Sequence, residues 1–194
     1  MSKTRLEAFS DCVLSIIITV MVLNLRVPRG ADLASLAPDA PLFLCYLVSF
    51  VFVGTYWNNH HHLLQAVRRI SGAVLWANLH LLFWLSLLPF VTAWLGTNNF
   101  APLPTALYDF DLLMCGVAYS ILSHSLIAAE GKDSPLAKAV GSAAREKISL
   151  VGYASAIPIA FWNRWVSLAL IMLVGMLWLI PDRRIESMYD SDAN

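Results

Sequence analysis

The chain has 194 residues, 58% of them hydrophobic and 13% charged, with a formal net charge of zero. Soluble domains carry about 45–50% apolar and about 25% charged residues, so this composition points to the membrane class, and the absence of a basic excess argues against a nucleic-acid partner. The three cysteines, Cys12, Cys45 and Cys115, are an odd number set in apolar runs, and read as packed thiols rather than a disulfide framework or a metal site.

A spanning helix needs about 20 mostly apolar residues. The first candidate covers 6–27 and closes at Pro28-Arg29-Gly30. No cleavable signal peptide is expected there, because Asp11 interrupts the apolar run and no A-x-A site follows a short core. The second, 41–66, closes at Arg68-Arg69 with Ser71-Gly72, and the third, 73–96, at Gly96-Thr97-Asn98-Asn99. The fourth, 104–129, precedes the longest polar stretch, Glu130 to Lys147. The fifth and sixth, 146–163 and 164–181, meet in a tight hairpin at Trp162-Asn163-Arg164-Trp165, with interfacial aromatics. The expectation is therefore an all-α, polytopic protein: one six-helix unit over 1–184 and a short polar tail over 185–194.

Basic residues orient the spans. With the N-terminus in the cytoplasm, the inner segments hold Lys3, Arg5, Arg68, Arg69, Lys132, Lys138, Arg145, Lys147, Arg183 and Arg184, and the outer loops hold Arg26, Arg29 and Arg164. Ten against three follows the positive-inside rule and places both termini in the cytoplasm. Merging the last two segments into one span would expel the C-terminal arginines.

Charges within spans cost at least about 2.5 kcal/mol each on insertion scales, so they should face protein or water. In the first span, Glu7, Asp11, Ser15 and Thr19 recur at i, i+4 and share one helix face. Beside them runs an apolar stripe, Ile16, Val20, Leu23 and Val27. Two readings stay open from spacing alone. Ser15 and Thr19 could bond their own i−4 carbonyls and let neighbouring helices approach closely. The same edge could instead line an aqueous path, with Ile16 and Leu23 forming rings that exclude water when narrow.

The second span ends in Tyr56-Trp57-Asn58-Asn59-His60-His61-His62. Three consecutive helical residues point about 100° apart, so the histidine triplet cannot converge on one metal ion. His60 is the candidate for a buried histidine bonded to Asp11 or a serine, a pair that would titrate near neutral pH. Asn78 on the third span is either interhelical glue or part of that cluster. Asp109 and Asp111 are expected near the outer surface, as N-terminal helix charges facing water or as a cation-concentrating pore mouth. His124 and Ser123 read as packing. No P-loop, GxSxG or HExxH motif, TVGYG filter, arginine ladder or inverted repeat is present.

Arg5-x-x-x-Phe9-Ser10-Asp11, followed by an apolar run holding Ser15, Ile16 and Thr19, resembles the signature of the transmembrane protein 175 family of bacterial and lysosomal potassium channels. The resemblance continues through Trp57-x-x-His60, Asn78 and Leu88-Pro89-Phe90, and spans the six-helix unit. It implies a potassium-permeable cation channel of the bacterial inner membrane, not an enzyme, with no cofactor beyond permeant K+. One unit per chain implies a homotetramer whose first helices surround the axis. By position, the constriction would be Ile16, with Val20 and Leu23 further outward, and Ser15 and Thr19 would supply hydroxyls near the ion path. Arg5, Phe9, Ser10 and Asp11 would lie away from the axis, bonding and packing with Trp57, His60 and Asn78. Three competing readings remain: a proton-coupled transporter or proton pathway using Asp11 and His60, a metalloenzyme built on the histidine triplet, and a structural membrane protein without transport.

Overall fold

The computed structural model describes residues 2–67, 69–131, 134, 136–137 and 143–179. They form six α-helices: α1 (Lys3–Leu23), α2 (Ala40–Gln65), α3 (Gly72–Thr97), α4 (Pro102–Glu130), α5 (Ala143–Trp162) and α6 (Arg164–Leu179). A short 3-10 helix, Leu33–Asp39, precedes α2. The first four α-helices are long and apolar enough to cross a membrane. The sixth is apolar but only 16 residues long, about 24 Å at 1.5 Å per residue. Of the basic residues that set the expected orientation, Arg68, Lys132, Lys138, Arg183 and Arg184 lie outside the described residues, as does the 185–194 tail.

Local chemistry sets the helix ends. Pro41 and Pro102 open α2 and α4 at positions where a missing backbone N–H has no consequence. Ser71 caps α3 by accepting from the Val74 N–H at 3.3 Å. Asn163 caps α6 through its Oδ1, which accepts from the Trp165 and Val166 N–H groups, so a single residue joins α5 to α6. Gly131, at φ 107°, ends α4 in a backbone conformation that side chains disfavour.

The first helix stops at Leu23, not at 27. Pro28 disfavours helical geometry at the residue before it. Asn24 turns away instead, and its Nδ2 donates to the Pro89 carbonyl of α3 at 3.3 Å. Val27 therefore leaves the apolar stripe and stands 90% exposed in the connection. In that connection Asp32 accepts from both the backbone N–H and the hydroxyl of Ser35, and these bonds hold its carboxyl below the usual range.

The bundle is organised on α3, which touches α1, α2 and α4. Half of its most apolar window is buried, against 28% for α1. Leu81, Leu85 and Leu88 are fully enclosed, and α4 carries the core on through Leu112, Cys115, Leu122 and Leu126 to α5 and α6. Buried hydroxyls add a polar tie. Ser49 of α2 bonds Thr92 of α3 at 2.7 Å and Tyr108 of α4 at 2.9 Å.

Gly96 fixes the closest approach in this half. A Cβ there would lie 2.5 Å from the Leu42 Cα, a backbone atom that cannot move aside alone. Gly96→Ala is expected to lower unfolding stability by about 1–3 kcal/mol, the usual range for overpacking. Thermal unfolding in detergent measures it, and unchanged stability would mean that α2 and α3 separate freely here.

Candidate pore helix and its bracing

Every fourth or third residue of α1 turns inward: Leu6, Ser10, Leu14, Ile17 and Met21 are buried. Leu6, Leu14, Ile17 and Met21 join the common core. Ser10, the polar member of this face, has a complete set of partners. Its hydroxyl donates to the Leu6 carbonyl at 2.9 Å and accepts from Asn78 Nδ2 at 3.0 Å. The Asn78 Oδ1 lies 2.8 Å from His60 Nε2, a nitrogen that must then carry the proton and donate. Ser10, Asn78 and His60 are all buried, so three helices meet through a polar chain that water does not reach.

Asp11 takes a different partner. Its Oδ1 accepts from the Trp57 indole N–H at 3.0 Å, at an exposed position. The expected Asp11–His60 pair does not form. Trp57 and His60 are one turn apart on α2, so each meets a neighbouring residue of α1 or the chain behind it. The indole reaches the carboxylate, and the imidazole is left to the Asn78 amide. Arg5 and Phe9 are exposed, with no side-chain hydrogen bond or ring contact among the described residues. At the same end Lys3 Nζ donates to the Gln65 carbonyl and sits 3.8 Å from Glu7.

The rest of the histidine run is local. His61 bonds Gln65 at 2.7 Å and stacks on Trp57, while the buried His62 Nδ1 has no hydrogen-bond partner among the described residues. Asn59 donates to the Thr55 and Trp178 carbonyls. Among the described residues no group of three or more His, Cys, Asp or Glu side chains is placed to hold a metal ion.

The opposite face of α1 is uncovered. Ile16 is 60% exposed, Leu23 75%, and Val20 41%, and they fall on one face at i, i+4 and i+7. Ser15 and Thr19 are exposed beside them. Both hydroxyls donate backwards, to the Asp11 carbonyl at 2.7 Å and the Ser15 carbonyl at 2.9 Å. The two readings of these hydroxyls are thus compatible. With the proton spent on the backbone, what each presents outward is oxygen lone pairs. Cys12, one turn before Ile16, is also exposed, whereas Cys45 and Cys115 are buried.

Two acids are corrected. Asp109 and Asp111 do not face water; they are 0% and 2% exposed. Since α4 begins at Pro102, they lie two turns inside it. Asp109 Oδ2 accepts from the Ser167 hydroxyl at 2.5 Å, and that hydroxyl also lies 2.9 Å from the Ala156 carbonyl, joining α4 to α5 and α6. Both Asp111 oxygens lack a partner among the described residues. Sequence reasoning missed this pair because its signal, a serine 58 positions away, has no local pattern. Ser123 is buried and His124 bonds the Ser120 carbonyl of its own helix.

A six-helix bundle with broad apolar faces left open is a multi-pass membrane protein. The sequence profile of the endosomal/lysosomal potassium channel TMEM175 matches residues 5–89. A potassium channel of Chryseobacterium sp. (strain P1-3) is 52% identical over 186 residues, covering 96% of this chain and 97% of that protein. A potassium channel of Streptomyces collinus is 29% identical, with 85% of each chain covered. The human endosomal/lysosomal proton channel TMEM175 is 37% identical over an 86-residue alignment that covers 38% of this chain and 17% of that protein. The crystal structure of a lysosomal potassium-selective channel TMEM175 homolog from Chamaesiphon minutus shares the fold, with a TM-score of 0.81 and 24% identity over 93% of this chain and 97% of that one. The chain belongs to the TMEM175 family, a family of ion channels that are not enzymes and need no cofactor.

The bracing makes a graded prediction. Asn78→Leu leaves the buried His60 donor unpaired and should lower stability by about 1–3 kcal/mol, whereas Trp57→Phe, at an exposed pair, should lower it by about 0.5–1.5 kcal/mol. Thermal unfolding of the two variants decides the order. A larger loss for Trp57→Phe would make the Asp11 bond the principal tie.

Proposed function

We propose that four copies of this chain form a potassium-permeable cation channel in the bacterial inner membrane, with the six-helix unit over 1–184 as one subunit. Each copy turns the open face of α1 towards a common axis. The observation that carries this reading is the division of α1: one face tied to α2 and α3, the other presenting Ile16, Val20 and Leu23 beside outward hydroxyl oxygens. The naming of close relatives as potassium channels supports the choice of ion.

In this channel Ile16 forms the constriction, with Val20 and Leu23 further outward. Branched side chains cannot coordinate a cation, so conduction requires the ring to widen and wet. Ser15 and Thr19 offer lone pairs close to the ion, which replace part of its hydration shell. One hydroxyl layer does so incompletely, and selectivity for potassium over sodium is correspondingly modest. Ser10, Asp11, Trp57, His60 and Asn78 hold the helix from behind, while Arg5 and Phe9 meet a neighbouring copy. A proton relay through Asp11 and His60 loses its direct pair, since each bonds elsewhere.

Ile16→Asn should raise single-channel conductance several-fold by removing the dewetting ring, and Thr19→Val should shift the reversal potential under a potassium–sodium gradient. Reconstituted bilayers measure both. Unchanged conductance and reversal potential would remove these residues from the ion path.

A further inference from the structure

Between α2, α4, α5 and α6 lies a cavity of about 40 Å³ that no residue of α1 lines, room for about three waters. Its walls are aromatic. The rings of Tyr56 and Tyr119 stand 6.1 Å apart at 68°, and those of Tyr119 and Trp178 stand 5.8 Å apart at 73°. Each pair meets edge to face rather than stacked. Two of the rings are tied in place: the Trp178 indole N–H donates to Ser149 Oγ at 2.7 Å, and the Tyr119 hydroxyl donates to the Asn59 carbonyl at 3.4 Å.

Charge selects the guest. Glu146 lines the cavity, is partly exposed and forms no ion pair among the described residues. Among the described residues no lysine or arginine lines it, and Ser120 contributes a buried hydroxyl with no partner among them. Aromatic faces carry negative electrostatic potential, and an aromatic lining with an adjacent carboxylate favours a cation whose hydration is weak enough to shed. An alkali ion would need oxygens on all sides, which these ring faces do not supply. A lipid acyl chain would leave both the carboxylate and the Ser120 hydroxyl without a use.

We propose that this cavity binds a small alkylammonium ion, held by the faces of Tyr56, Tyr119 and Trp178 and by the carboxylate of Glu146. The site lies within one subunit, and its occupancy does not depend on the conduction path assigned to α1.

Calorimetric titration of the purified full-length protein in detergent, with methylammonium chloride replacing sodium chloride at constant chloride, tests the site. The expected result is saturable binding that Glu146→Gln weakens at least tenfold and Ile16→Asn leaves unchanged, with no saturable binding of methanol, a neutral molecule of similar size. Trp178→Leu should also abolish binding, but it breaks the bond to Ser149 as well, so Glu146→Gln is the deciding variant. No saturable heat, equal binding of methanol, full affinity in Glu146→Gln, or loss of binding in Ile16→Asn would each overturn the proposal. The last outcome would move the ammonium to α1.

Discussion

The buried chain from His60 through Asn78 to Ser10 sets what the rest of α1 can do. A polar side chain inside a helical bundle must find all its partners in protein, and a serine that finds them on two neighbouring helices cannot rotate away without leaving them unpaired. Here each proton has a taker: imidazole to amide oxygen, amide nitrogen to hydroxyl, hydroxyl to the Leu6 carbonyl. Fixing Ser10 fixes Leu14, Ile17 and Met21 against the core, and with them the outward direction of Ile16, Thr19, Val20 and Leu23. The face assigned to conduction is positioned from behind.

The second half of the subunit supports this without sharing in it. Contacts run from α1 to α3, from α3 to α4, and from α4 to α5 and α6. Hydroxyls join the layers: Ser49 with Thr92 and Tyr108 on one level, Ser167 with Asp109 on another. Apolar packing between helices gives little orientation of its own in lipid, where the surroundings are as apolar as the side chains. Small close contacts such as Gly96 on Leu42, and hydrogen bonds between helices, therefore set the arrangement. The aromatic cavity bounded by Glu146 is built on α2, α4, α5 and α6, and no residue of α1 lines it.

Hydropathy and punctuation made the helices legible. All six α-helices fall on the expected segments because Gly, Pro and Asn break the apolar runs where the chain turns. The one misplaced end, 27 against Leu23, came from counting apolar residues past Asn24, where the helix already yields to Pro28. The i, i+4 pattern found two adjoining stripes of α1, one polar and one apolar, that both lie on its uncovered side, but not the buried stripe Leu6, Ser10, Leu14, Ile17 and Met21 behind them. Partners across helices were harder to read. A shared depth near one end of their helices suggested His60 for Asp11 or a serine, but Trp57 lies one turn earlier and its indole N–H reaches the carboxylate first. Asp109 and Asp111 followed Pro102 closely enough to look interfacial, yet two helical turns carry them into the bundle. The aromatic cavity had no sequence signature, since Tyr56, Tyr119, Glu146 and Trp178 come from four helices.

The central claim is that one face of α1 meets the ion path and the adjacent face does not. Cysteine accessibility tests it most directly. With exposed Cys12 replaced by serine, single cysteines at Ile16 and Ile17 can be treated with a charged, water-soluble thiol reagent while potassium flux from liposomes is followed. The account predicts that modification of Ile16→Cys blocks flux and that Ile17→Cys, facing the core, is unaffected. Equal modification at both positions, or flux through Ile16→Cys untouched by a reagent shown to have reacted there, would contradict it.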